Sequence, residues 1–156
     1  MSNDAHTHDV HKAADPFNLQ RFVEAQRDSY AQALAELRQG RKRSHWIWYI
    51  FPQLRGLGQS AMSHRYGIAS EDEAVAYLAH PILAPRLIEC TEIVLKANKP
   101  AIGDIFPYPD DLKFHSSITL FAQVQAEPNV FKAAIQKYFN GEPDRESLRL
   151  LSLEGK

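Results

Sequence analysis

Apolar side chains recur at helical spacing along most of this chain. Asp15 and Pro16 are suited to the N-cap and the first position of a helix, and apolar residues then follow at intervals of three and four up to Gln39. Gly40 is a natural C-terminal stop. The pattern therefore predicts a helical stretch from Asp15 to Gln39. Its apolar positions are Leu19, Phe22, Val23, Tyr30, Ala33, Leu34 and Leu37.

The rest of the chain predicts a series of shorter helices. Ser70 and Glu73 form a capping box for a helix that runs to about residue 80, and Asp144 caps a last short helix. Asn140 and Gly141 end the helix before it. One more helix begins near residue 110, and others are predicted over residues 59–66, 81–98, 102–106 and 130–139.

Together these elements predict a mainly α fold. We expect a compact single-domain bundle of about seven to eight helices, several of them short, over residues 15–152. Residues 1–14 are polar, rich in histidine and without periodicity, so we expect a disordered N-terminal tail there.

An unusually apolar stretch, the aromatic segment of residues 45–51, contains both tryptophans of the chain. Its pattern fits a buried strand or a short buried helix equally well, but the lack of a second convincing strand favours the helix, which Pro52 ends. On a helix, Trp46 and Trp48 point about 200° apart. We therefore expect one of them in the core and the other nearer the surface.

Composition narrows the class of protein. The 156 residues are 44% hydrophobic and 24% charged, with a net charge of −1, which argues against a general affinity for nucleic acid. Cys90 is the single cysteine, so an intramolecular disulfide is excluded, as fits a reducing compartment. No stretch approaches the roughly 20 apolar residues of a membrane span. The N-terminus also lacks the apolar core of a secretory signal, so we expect a soluble cytoplasmic protein.

A basic run, residues 41–43, lies next to the aromatic segment. In one interpretation it complements the dipole at the C-terminus of the preceding helix. In the other it forms an anion site, where arginines grip a phosphate or carboxylate, an indole stacks on a ring, and a histidine orients the ligand or exchanges a proton. Arg55 and Arg65 join this site if the glycine turn at residues 56–58 folds back. The candidates are Arg41, Arg43, His45, Trp46, Trp48, Arg55 and Arg65.

The start of the helix near residue 110 supplies further candidates: Asp111, Lys113 and His115. Acidic residues at this position also cap the helix and complement its dipole, which explains them without a site. They become ligand-binding candidates only if this helix start faces the basic run.

No cofactor or metal site is predicted. The histidines of the expected domain, at positions 45, 64, 80 and 115, lack metal-ligand spacing, and those at 6, 8 and 11 lie in the expected tail without fixed geometry. Gly56 and Gly58 lack the third glycine, the preceding strand and the distal acid of a dinucleotide fingerprint. Cys90 lies among apolar residues and is expected to be a buried, inert thiol.

Four strings carry a family resemblance: SHWIWYIFPQLRGLG, SAMSHRYGI, YLAHPILAPRLIECT and DDLKFHSSITLF. From about Asp15 to Leu151 the chain resembles the bacterial family named domain of unknown function 1810, some members of which carry the label calpastatin. The resemblance implies a compact, mostly helical single domain and no established activity. The label implies a protease inhibitor, but such inhibitors are long, disordered and repetitive, whereas this chain is not.

These observations lead to three functional hypotheses. The preferred one is a small anionic or nucleotide-like ligand held between residues 41–58 and the helix at residues 111–115. The second is a hydrolase or transferase at the same pocket, with His45 or Asp111 as the base. The third is a protein-interaction module whose aromatic face binds a partner or a second copy of the chain, so homo-oligomerisation stays open.

Overall fold

Nine α-helices make up the part of the chain that the structure describes, residues 15–154 of a computed structural model. The predicted tail lies outside these residues. The helices are α1 Gln20–Arg27, α2 Tyr30–Arg38, α3 Ile47–Ile50, α4 Ala61–Arg65, α5 Glu71–Ala79, α6 Leu83–Lys96, α7 Asp110–Val124, α8 Val130–Phe139 and α9 Arg145–Glu154. A 3-10 turn, Ile102–Asp104, precedes α7. The mainly α fold is therefore confirmed.

The central helix of the bundle is α7, which packs against α3, α5, α8 and α9. Its residues Phe114, Ile118 and Phe121 are fully buried, as their spacing predicts. Phe51, at the end of the aromatic segment, packs edge-on against Phe114 with ring centroids 5.0 Å apart. The early aromatic segment and the later helices thus share one hydrophobic core.

The predicted stretch from Asp15 to Gln39 is wrong as one helical unit. Asp15 caps a turn, because its carboxylate accepts the backbone N–H of Leu19 at 2.7 Å, and α1 starts only at Gln20. Pro16 therefore precedes the helix by a whole turn.

A second departure is the break between α1 and α2 at Asp28 and Ser29. The Gln26 amide is buried and donates to the Tyr49 carbonyl at 2.7 Å, while the Ser29 hydroxyl lies 2.9 Å from the Tyr49 hydroxyl. Both contacts hold the turn against the aromatic segment. The two helices consequently present separate apolar faces to the core.

Local end signals in the sequence behave as predicted. The Ser70 hydroxyl accepts the N–H of Glu73 at 3.1 Å, and the Asp144 carboxylate accepts that of Ser147 at 3.1 Å. Asn140 adopts the left-handed conformation, with φ at 54°, at the end of α8. Such signals need only neighbouring residues and so can be predicted from sequence.

The aromatic segment forms the single-turn helix α3. Trp46 is 1% exposed and Trp48 is half-buried, so the predicted division of the two indoles between core and near-surface is confirmed.

Candidate functional site

A surface groove of about 560 Å³ brings together two of the predicted arginines, Arg55 and Arg65. It lies between α1 and the segment that carries α4. We call it the arginine groove, and its lining residues are Asn18, Arg21, Glu24, Ala25, Arg55, Arg65 and Tyr66. Its volume falls within the range of small-molecule sites in proteins.

A glycine lets the two walls of this region approach. A parallel bridge joins Leu54 to Ile68, with the Arg55 N–H donating to the Ile68 carbonyl at 2.8 Å. A Cβ on Gly67 would lie 2.7 Å from the Arg55 Cβ and 2.8 Å from its Cα. Only glycine fits there without movement of the backbone, so Gly67 sets the position of Arg55.

Arg21, which sequence analysis does not single out, braces the groove. Its Nε donates to the Arg65 carbonyl at 2.9 Å, and its Nη2 donates to Gly67 O at 2.9 Å and to Glu73 Oε2 at 2.8 Å. Its Nη1 donates to two carbonyls at the start of α1, those of Phe17 and Asn18. All five N–H groups of this guanidinium are therefore used, and Arg21 has none left for a ligand.

The other two guanidiniums keep unused donors. Arg55 donates from Nε to the His64 carbonyl at 3.1 Å and from Nη2 to the Gly67 carbonyl at 3.3 Å. Arg65 lies over the Tyr66 ring at 5.4 Å, and it has neither a hydrogen bond nor an ion pair from its side chain to any residue in the described range. Both side chains are exposed. Free N–H groups on two guanidiniums at one concavity suit a phosphate or carboxylate.

Arg55 also borders a second hollow of about 680 Å³, on the side of the glycine turn. This hollow is formed mainly by backbone and small side chains, and its lining residues are Arg55, Gly56, Gly58, Gln59, Ser60, Ala61, His64 and Ala69. Arg55 is thus the residue shared by two concave surfaces. Arg55 and Arg65 are predicted to lie beside the basic run if the glycine turn folds back, but in the structure they line the groove without Arg41 or Arg43.

The basic run takes a different place in the structure. Arg41 and Arg43 are exposed and do not line the arginine groove, whereas Lys42 is buried. Lys42 Nζ lies 2.6 Å from Asp110 Oδ2 and 5.1 Å from the centre of the Trp46 ring. The run therefore does face the start of α7, but through its lysine rather than its arginines.

Glu36 organises the backbone of the basic run. Its Oε1 accepts the N–H groups of Arg43 at 2.7 Å and Ser44 at 2.9 Å and the Trp46 indole N–H at 2.9 Å. Its Oε2 accepts the Ser44 hydroxyl at 2.6 Å and the Gln32 amide at 3.0 Å. Burial alone raises the pKa of Glu36, but these hydrogen bonds outweigh it and lower the pKa to about 2.

The two indoles do not line the arginine groove. Trp46 belongs to the core, because its N–H is bonded to Glu36 and its ring packs against Phe51 and Phe106. Trp48 lines a much smaller recess together with Lys113, next to Tyr66, which also lines the groove. Trp48 and the start of α7 do meet in the structure, but apart from Arg55 and Arg65.

The remaining candidates are His115 and Asp111 on α7 and His45 before α3, and they lie in different surroundings. His115 Nε2 lies 2.7 Å from the Glu142 carbonyl, and its ring stacks on Phe139 at 3.7 Å, so this histidine holds α7 to the end of α8. Asp111 has one buried carboxylate oxygen without a partner in the described range. His45 is exposed and lines neither the groove nor the recess.

Cys90 is fully buried in α6, and burial raises the pKa of its thiol to about 12. A thiol in this state is a poor nucleophile. Across residues 15–154 there is no group of three histidine, cysteine or acidic side chains placed to hold a metal ion. Within the same range, none of the helices combines the length and apolar character that a membrane span needs.

Comparison with known proteins identifies the family. The sequence profile of a protein family of unknown function, DUF1810, matches residues 16–151. The chain belongs to this family. It is also similar to a solved structure, that of the conserved hypothetical protein Rv1873 from Mycobacterium tuberculosis, at 51% identity and a TM-score of 0.87. That match covers 88% of this chain and 99% of the other, while no curated protein matches the chain.

Proposed function

We propose that this protein binds a small ligand bearing a phosphate or carboxylate in the arginine groove. The observation that carries the proposal is the pair Arg55 and Arg65, which border one concavity with unused N–H groups. Arg21 supports it by fixing the carbonyl groups of residues 65 and 67. The walls of the groove are thus held in place before a ligand arrives, which lowers the entropic cost of binding.

The groove favours one orientation of the ligand. Glu24 lines it as well, and its carboxylate repels a second anionic group. The anionic end of the ligand therefore lies against Arg55 and Arg65, with a hydroxyl or amino group toward Glu24. Nucleotides and phosphosugars have this arrangement of groups. Stacking by Trp46 or Trp48 is not part of the proposal, because neither indole lines the groove.

Binding is favoured over catalysis at this groove. Glu24 and the buried Tyr66 are the lining side chains of a type that acts as a general base, and the groove's lining includes no serine, cysteine, lysine or histidine. The bases named for the enzyme hypothesis, His45 and Asp111, lie outside it. The lining thus offers few groups for acid–base or nucleophilic catalysis.

Thermal unfolding with a panel of compounds tests the proposal, with ADP and glucose 6-phosphate as the first two. The double variant Arg55→Ala/Arg65→Ala removes the proposed site, and Arg41→Ala/Arg43→Ala is its control, because it removes two exposed arginines of the basic run. We expect a saturable rise in Tm for the wild type and the control and none for the groove variant. A rise that survives the loss of Arg55 and Arg65, or the absence of any rise across the panel, would contradict the proposal.

A further inference from the structure

A small recess lies between the aromatic segment and α7. Its free volume is about 10 Å³, which is room for one small guest, a water molecule or a monatomic ion. We call it the tryptophan recess, and its lining residues are Trp48, Phe51, Gln53, Ser63, Tyr66 and Lys113. The ligand proposed for the arginine groove is too large to enter it.

Trp48 provides the first sign that the recess is a site. Its indole N–H is buried and has no hydrogen-bond partner in the described part of the chain. The indole of Trp46, two residues earlier, donates to Glu36 Oε1 at 2.9 Å. An indole nitrogen can only donate, so Trp48 requires an acceptor that residues 15–154 do not supply.

Ser63 and Lys113 add donors to the same recess. The Ser63 hydroxyl oxygen accepts from the Ser60 hydroxyl at 3.0 Å, so its own hydrogen is left to donate elsewhere. Lys113 Nζ lies 3.8 Å from Asp110 Oδ1, beyond hydrogen-bonding distance, while the other oxygen of Asp110 holds Lys42 at 2.6 Å. The ammonium group of Lys113 therefore keeps its N–H groups available.

Gly58, on the loop side, lies close to two of the residues that line the recess. A Cβ at this position would lie 2.3 Å from the Ser63 hydroxyl oxygen and 3.5 Å from the Gln53 amide nitrogen. The loop can pack against both polar side chains only because residue 58 is glycine. Gln53 is 8% exposed and Ser63 is 7% exposed, so both side chains are held in place by burial.

We propose that the tryptophan recess binds one monatomic halide ion, chloride in the cell. The lining combines an indole N–H, a free hydroxyl hydrogen, an amide and an ammonium group, and it contains no carboxylate. A halide accepts from all of these donors. A water molecule would also have to place two hydrogens of its own, and the lining side chains offer fewer acceptors, the Gln53 carbonyl and the Tyr66 hydroxyl, than donors. The recess shares Tyr66 with the arginine groove but is a different cavity.

Indole resonances of the ¹⁵N-labelled full chain test this site. Bromide is titrated at constant ionic strength against sodium gluconate, whose anion is too large for the recess. We expect the Trp48 indole N–H, assigned by its loss in Trp48→Phe, to shift saturably with bromide while the Trp46 resonance stays in place. Lys113→Gln should weaken the apparent affinity at least tenfold, and Lys96→Gln, an exposed lysine elsewhere, should leave it unchanged.

The outcome is independent of the proposed function. Arg55→Ala/Arg65→Ala should retain the bromide response, so a failed groove and a failed recess are told apart. Crystals grown in bromide should show an anomalous scatterer next to Trp48 Nε1. An ordered water there without anomalous signal, equal shifts in gluconate, or the absence of any Trp48 shift would overturn the proposal.

Discussion

Two arginine-rich regions of this protein differ in how their charges are used. In the basic run, residues 41–43 and the backbone after them are bound by Glu36 and Asp110, and the two arginines extend into solvent. In the arginine groove, one guanidinium is saturated and two retain free donors at a concave surface. The density of cations along the sequence is therefore a poor guide to a ligand site. The informative property is which donors stay unbonded after folding.

The strongest test of how the basic run is held is to remove the Glu36 carboxylate that binds its backbone. Glu36→Ala leaves the buried Trp46 indole N–H and two backbone N–H groups without their acceptor. We expect a loss of about 4 kcal/mol in the free energy of unfolding, since hydrogen bonds to a charged group contribute about 1.5–3 kcal/mol each and are not additive. Urea unfolding measures it.

Glu92→Ala is the matched control, because Glu92 is exposed. Its change should stay within about 0.5 kcal/mol. An equally small loss for Glu36→Ala would mean that the basic run is held by other contacts.

The next largest loss of stability is expected when Arg21, which holds the walls of the groove, is replaced. Arg21→Met removes five hydrogen bonds and leaves Glu73, whose side chain is 2% exposed, without its cation. We expect a loss of about 3 kcal/mol in the free energy of unfolding, as for a buried ion pair broken on one side. Arg27→Met, an exposed position on the same helix, is the control for urea unfolding.

The contribution of Glu36, which holds the basic run, should also depend on pH. The folded pKa of Glu36 is about 2, below its ordinary value of 4.5, so the folded state holds fewer protons than the unfolded state between these values. The stabilisation is complete above about pH 5 and is lost as the pH falls toward 2. We expect the difference in unfolding free energy between wild type and Glu36→Gln to shrink over this interval. A constant difference would contradict the lowered pKa.

The smallest expected effect on stability is the most informative about function. Arg65→Ala and Arg43→Ala each remove an exposed guanidinium that has no hydrogen bond or ion pair within residues 15–154. Both should change the unfolding free energy by less than about 0.5 kcal/mol. Arg65→Ala alone should lower the affinity for the stabilising nucleotide or phosphosugar about tenfold, as measured by calorimetry. Equal effects on affinity would remove the distinction between the two regions.

Features that depend on neighbouring residues could be predicted from the sequence. The caps at Ser70 and Asp144, the stop at Asn140, and the apolar stripe of α7 all follow from residues within one or two turns. The separation of the two indoles is predicted from helical spacing, although Trp46 itself precedes α3 as its N-cap.

Features that depend on distant partners could not. The break before α2 rests on Gln26 reaching Tyr49, 23 residues away, and the brace of the groove rests on Arg21 reaching Glu73, 52 residues away. No pattern in the neighbouring residues predicts either contact. The same limit explains why Arg41 and Arg43 are predicted to share a site with Arg55 and Arg65. The sequence shows how close residues lie along the chain and not how close they lie in the fold.

The bridge between Leu54 and Ile68 has a consequence for how this surface can vary. Two backbone hydrogen bonds, from Arg55 N to Ile68 O and from Ile68 N to Gln53 O, clamp the base of the intervening loop. Length and sequence at its tip, around Gln59, can therefore change at small energetic cost while the clamp holds Arg55 in register. Grafted tips of different length on this fixed base would give a set of proteins that share one scaffold and differ in the surface beside Arg55.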